Sequence, residues 1–281
     1  MIDILLRISR LVAVPLFAFL TVSLTVAAEN PPEPFTQGEM LTYDVTWSIF
    51  HAGEVTATLQ SAGNGSNDAY EVIATARTQG FVSLLYDVNN QFRSFFSPQT
   101  LCAQRIMKNI HEGSRHKDVL IVFDTIRNLA LLDERDLPHA NAPGKHTENE
   151  IPACVEDVVT GFYYLRRQYL TVGHTIEVAV NDGAKTQRVV VEVQAREKIQ
   201  TPLGMFNAFR VEPKGINGLL NGLLRSQGRM LIWFSADNQQ LPLRIKTMIS
   251  LGSITGTLRS VSRPPAALSV SPQHDLYQRS Y

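Results

Sequence analysis

The chain has 281 residues, with 26 Lys and Arg balancing 26 Asp and Glu, 44% apolar residues and two cysteines. Zero formal charge excludes a strongly basic nucleic-acid binder and an acidic solvating tail. With 19% charged residues and enough apolar side chains to build a core, it is not a disordered chain.

Residues 1–28 have the layout of an export signal. Arg7 and Arg10 form a positive n-region, Leu11 to Ala28 carries no charge, and Val26, Ala27 and Ala28 precede Glu29. Small residues at that exit suit a signal peptidase, so cleavage after Ala28 is expected, with no transmembrane segment left. The alternative is a retained N-terminal membrane anchor. Removal takes away two arginines and one aspartate, and the remainder stays nearly neutral. Residues 29–34 hold Pro31, Pro32 and Pro34, a stiff linker unsuited to helix or central strand.

From here the period is two. Leu41, Tyr43, Val45, Trp47 and Ile49 alternate with Thr42, Asp44, Thr46 and Ser48, which predicts a strand with one buried face. Ala52 and Gly53 are read as the turn into Val55, Ala57 and Leu59. The cluster Ala62 to Asn67 breaks the pattern before a strand from Tyr70 to Thr78. Asn64 to Ser66 also matches a glycosylation sequon.

Strands are read at Cys102 to Ile110, Lys117 to Phe123, Ile176 to Val180 and Val189 to Val193. The last two are joined through Asn181, Asp182 and Gly183, a hairpin signal. Further strands are read at Phe206 to Val211, Arg229 to Phe234, Leu241 to Ile249 and Ile254 to Leu258. About a dozen strands at short spacing predict a mainly β domain over residues 35–262, an antiparallel barrel-like or strongly curved sheet. Residues 263–281, with Pro264 and Pro265, lose periodicity and read as a disordered tail.

One segment follows helical spacing: Val155, Val158, Val159, Phe162, Leu165 and Tyr169. Glu156 and Asp157 at its start and Arg166 and Arg167 at its end suit the helix dipole. It predicts a helix of about 14 residues packed on the sheet. Phe81 to Tyr86 is a shorter candidate.

In an exported chain, Cys102 and Cys154 are expected to form a disulfide. The alternatives are two buried thiols or a redox thiol at the helix start. The bond would clamp the helix onto the sheet across a polar loop, Asp133 to Glu150.

Motifs for chemistry are missing. The sequence has no His-Glu-x-x-His, Cys-x-x-Cys or calcium loop, no G-x-S-x-G or S-x-x-K, and no G-x-G-x-x-G or phosphate loop. No metal, cofactor or catalytic residue is therefore assigned. His139 and His146, near Glu148 and Glu150, read as part of a solvated loop. The unusual stretches are two apolar connections, Gly215 to Leu224 and Phe81 to Leu85. They read either as ordinary core or as a gate over an apolar cavity or a contact patch.

Taken in order, several residues resemble one bacterial family of exported proteins, domain-of-unknown-function family 3108. The match opens at Phe35, Gly38, Glu39, Leu41, Tyr43, Val45 and Trp47. It continues at Asp157, Tyr164, Leu165, Arg166, Leu170 and Gly173, then Thr201, Pro202, Gly204 and Phe206. It ends on Trp233, Phe234, Ser235, Asp237 and Pro242, spanning about Phe35 to Leu258. The resemblance implies an exported, barrel-like β domain and supplies no catalytic residues. The cysteine pair stands outside its pattern.

The expectation is a non-catalytic exported protein binding a lipid-like ligand or an envelope component. Its candidate binding residues are Tyr43, Trp47, Phe81, Leu84, Leu219 and Leu223. The alternatives are an envelope scaffolding factor that meets a protein through Gly215 to Leu224, and a hydrolase without a recognisable motif. The latter needs a nucleophile, a histidine and an acid to converge near Asp157.

Overall fold

The computed structural model of the protein describes residues 34–63, 69–137, 143–215 and 229–264. The signal segment, nearly all of the linker, the sequon, His139, Leu219, Leu223 and the tail beyond residue 264 lie outside them.

The strands are β1 (Met40–Trp47), β2 (Phe50–Ser61), β3 (Tyr70–Thr78), β4 (Asn89–Phe96), β5 (Ala103–Glu112), β6 (Arg115–Asp124) and β7 (Leu129–Asp136). They continue as β8 (Lys145–Glu150), β9 (Thr175–Asn181), β10 (Thr186–Thr201), β11 (Gly204–Lys214), β12 (Met230–Ser235), β13 (Pro242–Ile249) and β14 (Gly252–Ser262). Two short helices interrupt them, α1 (Gly80–Leu85) after β3 and α2 (Thr160–Arg166) after β8. Each hairpin pairs with the next, and β1 closes on β14, so all 14 strands make one antiparallel sheet with β8 and β9 at its ends.

The expected barrel or strong curvature is corrected by this order. β8 and β9 are terminal strands with no ladder between them, so the sheet is an open row. Period-two patterning reports strand count but says nothing about whether the first and last strands pair. Contact between the two edges is made by side chains: Asn181 Nδ2 donates to Asn149 Oδ1 at 2.7 Å, and Thr186 Oγ1 to the Glu150 carbonyl at 3.0 Å. Gly183, in the β9–β10 turn, packs so tightly that a Cβ would lie 2.4 Å from Leu132 Cδ1.

Register explains the cores. Cross-strand partners share a face, so one row runs Leu41, Ala57, Ala74, Phe92, Lys108 and Val119 across β1 to β6. A second runs Val45, Gly256, Ile245, Ile232, Val211 and Val193 across β1 and β14 to β10. This is the face that meets α2. Phe162 and Leu165 pack with Val178, Val191 and Phe234, while Val155 and Val158 pack with Ile106, Ile121 and Leu132. The opposite face is polar over β1 to β3, where Thr56 and Thr75 share a hydrogen bond at 2.7 Å. Both faces are buried at β12: Ile232 and Phe234 belong to the cluster under α2, while Trp233 joins another with Ile199 and Leu243.

Three local expectations change. The helix is seven residues, because Val155 to Asp157 is extended. Glu156 bridges β9 there: its N–H donates to the Ala179 carbonyl at 2.8 Å and its carbonyl accepts from Asn181 at 2.9 Å. Satisfying the β9 edge outweighs continuing the helix. The first hairpin turns at Ser48 and Ile49. Ala52 and Gly53 lie inside β2, at a bulge where a Cβ on Gly53 would sit 2.0 Å from the Arg77 carbonyl. The polar stretch Asp133 to Glu150 contains the end of β7 and all of β8.

Cys102 and Cys154 form the disulfide, with Cα atoms 5.1 Å apart. It ties the start of β5 to the segment leading into α2, alongside a bond from Ala103 N–H to the Val155 carbonyl at 2.9 Å.

Candidate functional site

The α2 face of the sheet is apolar yet incompletely covered. Val45, Val55, Ala74, Ala76, Phe92 and Ile245 all remain half-buried. Residues nearer α2, such as Leu59, Val72 and Phe96, are fully buried. Two of the six half-buried residues are the alanines of β3, which add little apolar bulk to the face.

The other part of this face is closed by α2, and the closure is built on a charged pair. Arg166 donates to both oxygens of Glu39, at 2.5 and 3.2 Å, and to the carbonyls of Pro34 and Gln239 at 2.8 and 3.2 Å. Arg263 holds Glu39 from the other side at 2.6 and 2.9 Å. The Arg166 guanidinium also lies over the rings of Phe35 and Tyr163, at 5.3 and 5.6 Å. Arg167 reaches the Pro98 carbonyl at 3.2 Å. Thus α2 is bound at once to the starts and ends of strands far apart in the row. Burial pushes the hydroxyls of Tyr43 and Tyr163 far above the ordinary tyrosine range, so both stay neutral.

Large apolar side chains gather where strands turn at the opposite end. Ile49 and Phe50 lie at the β1–β2 turn, Phe81, Leu84 and Leu85 on α1, and Leu251 at the β13–β14 turn, all exposed by 56% or more. The turns are adjacent: Trp47 Nε1 donates to the Leu251 carbonyl at 2.8 Å, and Gln79 N–H to the Ala52 carbonyl at 2.8 Å. Gly215 and Arg229, which flank residues 216–228, leave and re-enter the sheet at this end.

The candidate residues therefore separate. Tyr43 is buried in the core, and Trp47 is half-buried and bonded across two turns. Phe81 and Leu84 are exposed on α1, and Leu219 and Leu223 lie outside the described residues. Sequence reasoning missed Val55, Ala74, Ala76 and Phe92. β4 carries Asn89, Asn90 and Arg93 among its aromatics, which obscured its alternation. The alanines are too small to register as a hydrophobic stripe.

Acids are buried near α2. Asp157 accepts from Ser94 at 2.5 Å and from the N–H groups of Val159 and Thr160 at 2.6 and 3.0 Å, capping the helix start. Burial raises its pKa. Beside it, Glu156 is 1% exposed, neither carboxylate oxygen makes a hydrogen bond among the described residues, and burial pushes its pKa up to about 9. Among the described residues, the nucleophile and histidine required near Asp157 for a hydrolase do not assemble with it. Ser94 is fully buried and bonded to Asp157, and no histidine partners either residue. Among the described residues no three His, Cys, Asp or Glu side chains are grouped to hold a metal. The rings of His111 and His116 meet at a tilt across β5 and β6 with centres 4.8 Å apart, and His146 faces Asp133 at 3.6 Å.

A concavity of about 420 Å³ lies over β4 to β7, lined by Gln91, Arg93, Met107, Asn109, Asp118 and Arg135 and bordered by Lys108 and Val119. Its polar groups answer one another, Asn109 bonding Asp118 at 2.7 Å and Arg93 bonding Glu71 at 2.5 Å. A small apolar pocket of about 80 Å³ lies between α2 and β9 to β12, against Phe162, Val178 and Met230.

No curated protein matches the chain. Among solved structures, a beta-barrel-like protein of domain of unknown function DUF1849 from Brucella abortus aligns with a TM-score of 0.52 at 9% identity. The alignment covers 81% of this chain and 98% of that one, a likeness of fold alone. A Bacteroides fragilis protein described as exported, with a YmcC-like fold, aligns at TM-score 0.33 and 9% identity, covering 83% and 99% of the two chains. A Parabacteroides distasonis protein described as a lipoprotein aligns at 0.29 and 10%, covering 82% and 97%. The pattern of DUF3108, described as a protein of unknown function, matches residues 42–259. Glu39 and Arg166, two of the residues that suggested this family, meet in the structure as the ion pair that holds α2, and the chain belongs to the DUF3108 family.

Proposed function

We propose that the protein is a non-catalytic, exported binder of an apolar ligand from the cell envelope. The observation that carries this reading is the row of apolar side chains left half-exposed on the α2 face: Val45, Val55, Ala74, Ala76 and Phe92. Apolar surface left in water costs about 25 cal/mol per Å², and a ligand covering this face recovers it. Export is supported by the signal-like N-terminus and by a disulfide that persists only in an oxidising compartment. Among the described residues no helix is long and apolar enough to cross a membrane. Native mass spectrometry and solvent extraction of the purified protein test the reading. A lipid-like mass in near-stoichiometric amount is expected. A protein that is ligand-free as purified and also fails to take up a fluorescent fatty probe overturns it.

A second reading has its own observation, the exposed cluster of Ile49, Phe50, Phe81, Leu84, Leu85 and Leu251. A patch of this kind suits an envelope scaffolding factor that meets a protein. Pull-downs that lose a specific partner on Phe81→Asp plus Leu84→Asp, with ligand content unchanged, support it.

A further inference from the structure

Lys108 is a cation in an apolar row. Its cross-strand neighbours are Phe92 on β4 and Val119 on β6, so its side chain leaves the sheet on the α2 face. It is half-buried, and its ammonium makes no hydrogen bond or ion pair among the described residues. Unlike Lys108, Lys117 pairs with Glu134, and Lys214 with Glu192 at 2.8 Å.

The acids around Lys108 are already engaged. Asp157 serves Ser94 and two backbone N–H groups. Asp182 accepts from the N–H groups of Ala184 and Lys185 at 2.9 and 3.0 Å. Glu134 is taken by Lys117, and Glu112 accepts from Asn90 at 2.8 Å and faces Arg115 at 3.6 Å. Burial pulls the Lys108 amine below the usual lysine range. Asp157, Asp182 and Glu134 oppose that shift, and Arg115 adds to it. An amine in this setting gains most from an anion that arrives with the ligand and brings charge-assisted hydrogen bonds.

We propose that Lys108 anchors the head of a long-chain carboxylate whose tail lies along Val45, Val55, Ala74, Ala76 and Phe92. This rests on the apolar-ligand reading above and narrows it to an anionic, single-chain amphiphile. The dimensions agree. Four strand spacings separate β5 from β1, roughly 19 Å at the usual spacing, which is the reach of an extended long acyl chain. The occupant is fixed by charge complementarity, one unpaired cation at one end of an apolar path.

The test is displacement of cis-parinaric acid, a fluorescent fatty acid, from the disulfide-bonded protein by palmitate and by hexadecanol, which share a tail and differ in charge. Palmitate is expected to compete at least about tenfold better on the wild type, the value of one charged hydrogen-bonded contact. Lys108→Met is expected to erase that preference while hexadecanol keeps its affinity, and Lys108→Arg to retain it. Equal competition by palmitate and hexadecanol on the wild type overturns the inference and leaves the apolar-ligand reading standing. An unchanged preference in Lys108→Met overturns it as well. If neither probe nor competitor binds, the apolar-ligand reading itself fails. The wild-type ratio decides even where a variant does not fold.

Discussion

Arg166 and Glu39 stand 127 residues apart and meet as a two-pronged ion pair, with their side chains 1% and 0% exposed. Glu39 is the only carboxylate bonded to Arg166 among the described residues, whereas Glu39 itself is held by Arg263 as well. The two partners are therefore unequal. Removing the acid strands a buried guanidinium, while removing Arg166 leaves the acid still paired.

Glu39→Gln is thus expected to cost roughly 3–5 kcal/mol, as for a broken buried pair. Arg263→Ala, which removes a partly exposed partner, should cost about 1 kcal/mol or less. The double variant Glu39→Met plus Arg166→Met should recover much of the loss, because no buried charge remains. Urea unfolding measures all three. A Glu39→Gln protein within about 1 kcal/mol of wild type contradicts the role given to this pair.

The disulfide closes a loop of 52 residues between β5 and the approach to α2. On the chain-entropy account, that is worth about 4 kcal/mol. Reduction, or Cys102→Ala plus Cys154→Ala, should lower unfolding stability by about 2–4 kcal/mol. Because the bond lies beside Val155, protection of the Ala103 amide in hydrogen exchange should fall first. Unchanged stability on reduction counts against a structural role.

Glu156 gives the fold a pH dependence. Its pKa rises from an ordinary 4.5 to about 9 in the folded state, so the folded chain keeps a proton that the unfolded chain releases. Its contribution to stability is complete below about pH 4.5 and is lost progressively up to about pH 9. Glu156→Gln, which stays neutral, should be more stable than wild type at pH 8 by roughly 1–3 kcal/mol. Near pH 4 it should be little changed. Thermal melts across this range test the sign, and a wild type that gains stability from pH 5 to 9 relative to the variant refutes it.

How much of this was legible in the sequence follows from what each residue type reports. Alternation placed β1, β3, β6 and the β9–β10 hairpin, since a half-buried strand writes its two faces directly. β8, Lys145–Glu150, is polar throughout because it ends the sheet, and a protected edge looks like a loop. Val155 to Asp157 fits helical spacing, yet a partner edge at Val180, far along the chain, drew Glu156 into a bridge. The openness of the row depends on pairing between the first and last strands of its order, which no local pattern encodes. At the candidate site, Phe81 and Leu84 were visible as bulky residues in a connection. The alanines of β3 and the facing of Lys108 emerged only from register.

The two readings of function make opposite demands on two surfaces. If the α2 face holds a ligand, filling it from within removes the site. Ala76→Phe puts a ring between Val55 and Asn90, beside the path to Phe92, at a position that is only half-buried. It should therefore cost less than the 1–3 kcal/mol typical of overpacking a closed core. Affinity for a fatty probe should fall at least about tenfold, because the displaced tail loses much of its buried area. Phe81→Asp plus Leu84→Asp changes side chains 64% and 83% exposed, and should leave both stability and probe affinity close to wild type. Binding lost in the first variant and kept in the second assigns function to the sheet face. Binding kept in Ala76→Phe, with a partner lost on the α1 variant, assigns it to the exposed cluster instead.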